Sequence, residues 1–180
     1  MTAMQTNKTP DLSTYFAAFR DNLEAGLDKA FNSMRNVSVE GRLTALHAWF
    51  DSDSEQKVLG VIPIGGAMLH SHEHRLLFSV PALDRGTLDA WWDYAKGLQH
   101  TLVRADPLHQ FSIISLILVC GSCEGAALRR LRRLSSDVNY RPPATGWSTV
   151  RMAVVDASTG KVSTNRAGAP LAAILRQAQP

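Results

Sequence analysis

The sequence predicts an α+β domain with a mixed or mainly antiparallel sheet. Apolar residues recur at helical spacing in some stretches and alternate with period two in others, and strand neighbours of hairpin type outnumber strand-helix-strand units. The predicted element order is α-β-β-β-α-β-α-β-β-α, with the helices packed on the sheet. The 180 residues, 45% hydrophobic and 19% charged, have the composition of one soluble globular domain.

The chain is expected to begin with a flexible N-terminal lead, residues 1 to 10, followed by a single domain over residues 11 to 180. The lead is polar and lacks periodicity. Apolar residues from Leu12 to Met34 then repeat at three- and four-residue spacing, which predicts a helix of about six turns. Asp11 or Ser13 is available as its N-cap.

Three strands are predicted next. Alternation with period two indicates a half-buried strand over residues 37 to 49, a polar turn over 51 to 56, and a second strand over 57 to 64. Pro63 places the far end of the second strand at a sheet edge or a bulge. After two glycines, residues 68 to 80 form the third strand.

A second helix and the central strand follow. Asp84 is the expected N-cap of a helix over residues 85 to 103. Seven of the nine residues from 111 to 119 are apolar without alternation, which is typical of a strand covered on both faces. We therefore place this strand in the middle of the sheet, followed by a Cys-Gly-Ser-Cys turn and an arginine-rich helix that reaches Leu134.

The last third of the chain is predicted as a loop, a hairpin and a closing helix. Residues 135 to 146 lack periodicity, and strands over 147 to 156 and 161 to 165 flank a turn in which Gly160 supplies the positive φ. Pro170 opens the closing helix.

Bulk properties restrict the function classes only weakly. A net charge of +3 permits an acidic partner but does not by itself indicate nucleic acid. The N-terminus lacks signal-peptide features, no apolar run approaches the roughly 20 residues that span a bilayer, and the two cysteines are too close in sequence to staple the chain. We expect a cytoplasmic protein without a transmembrane segment and without a cofactor.

The first candidate site is the pair Cys120 and Cys123. A C-x-x-C between a buried strand and a helix suits dithiol redox chemistry, because a helix N-terminus stabilises a thiolate. Val119 stands where thioredoxin-like proteins usually carry an aromatic residue, and Glu124 opposes thiolate formation. The alternative is that both cysteines are small packing residues.

The second candidate is the histidine row His70, His72 and His74, with His47 as a further donor. Alternate residues of a strand face the same way about 7 Å apart, so two neighbouring histidines can share a metal ion. No recognised zinc spacing completes the set. A row of histidines on a sheet face, without metal, is the favoured interpretation.

The third candidate is the segment from Asp51 to Lys57, which contains Asp51, Asp53 and the triplet Glu55-Gln56-Lys57. Its E-x-K spelling and the opening element order are shared with metal-dependent nucleases of the restriction-endonuclease type, which suggests a metal-assisted hydrolase or nuclease. Such enzymes gather these residues on adjacent strands, whereas here they fall on one polar turn. This favours a solvated loop.

The fourth candidate is the basic cluster Arg129, Arg130, Arg132 and Arg133. The leucines between these arginines keep three-residue spacing and face the core, so the arginines cover the exposed side of the helix. The leading hypothesis is a non-catalytic binding or interaction module that presents this helix to an acidic protein surface or to nucleic acid. A homodimer is also permitted, because Pro63 implies an exposed sheet edge.

Overall fold

The structure, a computed structural model, describes residues 11–58 and 62–180, and for residues 54–58 and 62–68 it describes the backbone alone. The predicted flexible lead, residues 1–10, lies outside this description. The helices are α1 (Leu12–Ala25), α2 (Arg85–Leu102), α3 (Gly125–Leu131) and α4 (Leu171–Gln177). The strands are β1 (Asn32–Val39), β2 (Arg42–Val58), β3 (Ile62–Leu83), β4 (His109–Cys123), β5 (Asp137–Asn139), β6 (Trp147–Asp156) and β7 (Lys161–Thr164).

All of these strands belong to one sheet of order β1-β2-β3-β4-β6-β5, and β7 also pairs with β6. The β3–β4 and β4–β6 pairs are parallel, and the other pairs are antiparallel. The predicted α+β class, the mixed sheet and the element order are confirmed. The three-residue β5 is an addition, inside the segment predicted as a loop.

The core consists of two layers that meet on the central strand β4. Residues 112–120 of β4 are all buried, which explains their apolar run without alternation. On one face, α2 and α3 cover residues such as Leu76 and Leu118. On the other face, α1 and α4 cover residues such as Leu77 and Ile117. Among the described residues, no helix is both long and apolar enough to cross a membrane.

The boundaries of the first strands differ from the prediction. The first helix ends at Ala25 rather than near Met34, because Gly26 caps it and the chain turns before β1. The strand predicted over residues 37–49 is two strands joined by Glu40-Gly41, whose φ angles of 45° and 79° form the two-residue turn of a tight hairpin.

The polar turn predicted at residues 51–56 is also wrong, because β2 continues to Val58. Its polar residues have cross-strand partners: the carboxylates of Asp51 and Asp53 lie 2.7 Å from the Nδ1 atoms of His72 and His70. Such pairs stabilise a strand that its own composition disfavours. The connection between β2 and β3 falls at residues 59–61, outside the described part of the chain, so the second strand predicted over residues 57–64 is wrong: its first residues end β2 and its last residues begin β3.

Later elements follow the prediction closely. The Asp84 side chain accepts a hydrogen bond from the Thr87 backbone N–H at 2.7 Å and caps α2. Gly160 has φ 69° in the β6–β7 hairpin, and α4 begins immediately after Pro170. These elements bring α3, the start of α2 and β7 to one side of the molecule, where α3 contacts both of the others.

Candidate functional site

Helix α3 is fixed against the core by its apolar side. Ala127 and Leu131 are fully buried, and Leu128 packs partly buried beside them. This arrangement turns Arg129 and Arg130 outward, as the leucine spacing predicts. The helix has only seven residues and Arg132 is its C-cap, so Arg132 and Arg133 lie in the turn that follows it.

We call the first basic cavity the arginine pocket. It has a volume of about 250 Å³ and is lined by Ala126 and by four basic residues, Arg85, Arg129, Arg130 and Arg133. Arg85 begins α2, and the packing of α2 against α3 brings it to the pocket. The guanidinium groups of four arginines therefore surround one open cavity.

The arginine pocket is neutralised only in part. Asp89 of α2 lies 2.9 Å from Nε of Arg130 and 3.8 Å from Nε of Arg85, so one carboxylate is shared by two arginines. Arg130 thus has a partner that its sequence neighbours do not provide. Among the side chains that the structure describes, no carboxylate forms an ion pair with Arg129 or Arg133. The pocket retains an excess of positive charge suited to carboxylate or phosphate groups.

A second basic cavity lies on the other side of α3, and we call it the β7 groove. It has a volume of about 400 Å³, and its lining includes Arg132, Lys161, Arg166 and the whole of β7. Arg132 comes from the end of α3, Lys161 is the first residue of β7, and Arg166 lies two residues after its end. The four arginines predicted from the sequence thus divide between two cavities rather than forming one flat face.

The cysteine pair does not form the predicted tight turn. Residues 120–123 are the last four residues of β4, and both thiols are free, with Cys120 buried and Cys123 half-buried. Residues three apart on an extended strand are separated by roughly 10 Å between Cα atoms, beyond the roughly 4.4–6.8 Å that a disulfide spans. The dithiol hypothesis stays a prediction that requires the end of β4 to bend.

The two thiols differ in their surroundings. Cys120 is fully buried, and burial raises the pKa of its thiol. Cys123 is half-buried, so it is the more accessible of the two thiols.

The histidine row lies at the end of the α2 face. A cleft of about 320 Å³ is lined by Leu102, Arg104, Asp106, Asp51, His70, His72 and His74. His70 and His72 pair with aspartates of β2, and Nδ1 of His74 lies 3.1 Å from Nε2 of His47. In the described part of the chain, no three His, Cys, Asp or Glu side chains come together in a way that could hold a metal ion.

The nuclease-like segment cannot be placed as a site. The backbone of Glu55-Gln56-Lys57 belongs to β2, whereas these side chains lie outside the described residues. The metal-assisted hydrolase or nuclease stays a prediction.

One charged cluster was not predicted from the sequence. On the α1 face, Nε of Arg75 lies 2.7 Å from Oε1 of Glu73, and Nη1 of Arg151 lies 3.8 Å from the same oxygen. All three side chains are less than one-fifth exposed, and Arg75 stacks over Phe31 at 4.2 Å. Burial lowers the pKa of Arg151. The sequence shows these charged residues at alternating positions of two separate strands. Whether they contact each other depends on the order of the strands in the sheet, which the sequence does not show.

The fold and the two cavities define a small α+β domain with a basic surface centred on α3. The chain belongs to the family described as Domain of unknown function (DUF8052), whose profile matches residues 16–177. No curated protein and no solved structure matches the chain.

Proposed function

We propose that the protein is a non-catalytic binding module that holds an acidic partner protein at the arginine pocket. The observation that carries this proposal is the convergence of four arginines on one cavity, with Asp89 as the one carboxylate that pairs with them among the described side chains. Guanidinium groups bind carboxylates through paired hydrogen bonds, and a pocket that positions several of them favours acidic side chains.

An acidic protein is a better fit than nucleic acid. The overall charge is only +3, and the basic residues lie in two cavities on either side of α3 rather than along one continuous track. None of the described side chains that line the two cavities is aromatic, although stacked aromatics are the usual support for bases of single strands. The two free thiols fit our placement of this binding in the reducing cytoplasm.

The proposal can be tested by charge reversal at the pocket. The double variant Arg129→Glu, Arg133→Glu should weaken binding of a fluorescein-labelled Asp/Glu peptide by at least about tenfold, since two attractions become repulsions. Fluorescence anisotropy at two salt concentrations measures the loss. Affinity of the unaltered chain should fall as salt rises.

A matched control changes the net charge equally at a distance from α3. Arg141 and Arg176 are exposed and line neither cavity, so the variant Arg141→Glu, Arg176→Glu should bind almost normally. Equal losses in the two variants would reduce the effect to net charge and sink the proposal. Tighter binding of an oligonucleotide than of the peptide, lost in the pocket variant alone, would replace the acidic protein by nucleic acid as the partner.

A further inference from the structure

Strand β7 has a free edge. Its four residues pair with β6 on one side, and no strand of the described chain pairs with its other side. The N–H and C=O groups on such an edge form a ready template for one more strand. The edge forms part of the lining of the β7 groove.

The groups that face outward can be identified from the hydrogen bonds beside them. The backbone N–H of Asn165 donates to the carbonyl of Met152 at 3.0 Å and so points toward β6. Because backbone groups alternate in direction along a strand, those of Thr164 and Val162 point away from β6. Neither residue makes another backbone hydrogen bond within the described ranges. Two N–H donors and two C=O acceptors are therefore free.

The groove around this edge is basic. Arg132 lies on the α3 side, and Lys161 and Arg166 stand at the two ends of β7, with no acidic residue in the lining. The carboxylate of Asp137, which does not line the groove, interacts with one of these cations. Its pKa is lowered mainly by hydrogen bonds from Ser135 and Thr149 and also by the charge of Arg166. Most of the positive charge beside the free edge is thus unneutralised.

The opposite edge of the sheet lacks this combination. Strand β1 is also an edge, but its arginine, Arg35, is already paired with Asp21 and Glu24 of α1. Charge complementarity therefore distinguishes β7 from β1 as a place for an acidic ligand.

We propose that an extended acidic segment of a partner protein adds as a strand to the free edge of β7, with carboxylates directed at Arg132, Lys161 and Arg166. This inference rests on the proposed function, because it assigns the conformation of the acidic partner and the edge that receives it. Backbone hydrogen bonds supply part of the affinity and the basic residues select for acidic side chains, as in other cases of strand addition.

The test uses the unaltered chain with three labelled peptides of alternating Asp and Val that share one sequence and one charge. The first peptide is unmodified, the second carries a methyl group on the backbone nitrogen of every Asp, and the third carries one on the backbone nitrogen of every Val. Only one set of nitrogens faces β7 in an added strand. One methylated peptide should therefore bind at least about tenfold more weakly and the other nearly normally, since two hydrogen bonds are lost.

Three results would overturn the inference. Equal binding of all three peptides would mean that the protein recognises charge alone and that no strand is added. If the Arg129→Glu, Arg133→Glu variant still loses binding in that case, the proposed function stands without strand addition. Equal weakening by both methylated sets contradicts pairing along one edge. A variant with reversed groove charges, Arg132→Glu with Arg166→Glu, should bind the unmodified peptide at least about tenfold more weakly, and normal binding by that variant would place the peptide elsewhere.

Discussion

Two histidines show how burial sets the charge of single residues in this sheet. The rings of His47 and His74 stack with centroids 5.3 Å apart, and their nearest nitrogens are 3.1 Å apart. Burial lowers the pKa of both residues. For His74, burial and, to a smaller extent, the neighbouring His47 together lower the pKa to about 4. The pair is therefore neutral in the folded chain near neutral pH.

This pair should make stability depend on pH. His74 is protonated near pH 6.5 in the unfolded chain and near pH 4 in the folded chain, so its stabilising contribution is present above pH 6.5 and is lost as pH falls toward 4. Lowering the pH from 7 to 4.5 should destabilise the unaltered chain by about 2 kcal/mol more than the His74→Gln variant. Urea unfolding at both pH values measures the difference, and identical pH dependence would contradict the assignment.

The cysteines give a second prediction at this scale. Because Cys123 is half-buried, iodoacetamide should modify this one thiol in the folded chain near neutral pH. Cys120 should react only after unfolding, since it is completely buried. Mass spectrometry follows both steps, and equal labelling of the two thiols in the folded chain would contradict the prediction.

At the scale of elements, the sequence predicts the bounds of a helix or strand correctly where the hydrophobic period, the capping residue and the length of the segment all indicate the same element. Helix α2 and the β6–β7 hairpin were placed within one or two residues, because Asp84 and Gly160 mark their turns. The prediction is wrong where apolar residues beyond the end of a helix happen to keep the helical spacing. Phe31 and Met34 fall on the helical period of α1, but Phe31 packs against Phe50 and Met34 is half exposed in β1.

The hairpin between β1 and β2 was missed for a different reason. Its turn, Glu40-Gly41, places a glutamate at positive φ, whereas Asn-Gly or Asp-Gly is the usual signal for such a turn. The polar run in β2 was similarly misread as a turn, because its histidine partners come from β3, about twenty residues later in the chain. Cross-strand partners are invisible to a local pattern.

The sequence predicts the arginines of α3 that form the centre of the candidate site, but it does not predict the residues from other elements that complete the two cavities. Arg129, Arg130, Arg132 and Arg133 stand together in the sequence, and helical spacing turns them outward. The cavities also need Arg85, Lys161 and Arg166, which helix packing and the β6–β7 hairpin bring to α3 from distant parts of the chain. The neutralisation of Arg130 by Asp89 depends on the same packing.

Across the whole molecule, burial increases from the edges of the sheet toward β4. Strand β4 lies between β3 and β6, and helices cover both of its faces. Seven of the eight β1 residues are exposed or half-buried, and all three residues of β5 are exposed. Backbone N–H and C=O groups without a strand partner therefore occur at the edges of the sheet, and the proposed partner strand adds at one of these edges. The buried centre of the sheet holds the edge strands in place.

Amide hydrogen exchange should reveal this gradient. Amides of residues 112–120 should exchange only through global unfolding, since each is buried between two paired strands. Outward-facing amides of β1 and β5 should exchange at least about a hundredfold faster, because opening them breaks no strand pairing. Mass spectrometry of exchanged peptides can compare the two regions in one sample. If peptides from β1 were protected as strongly as those from β4, a further strand or a second copy of the chain would have to cover that edge in solution.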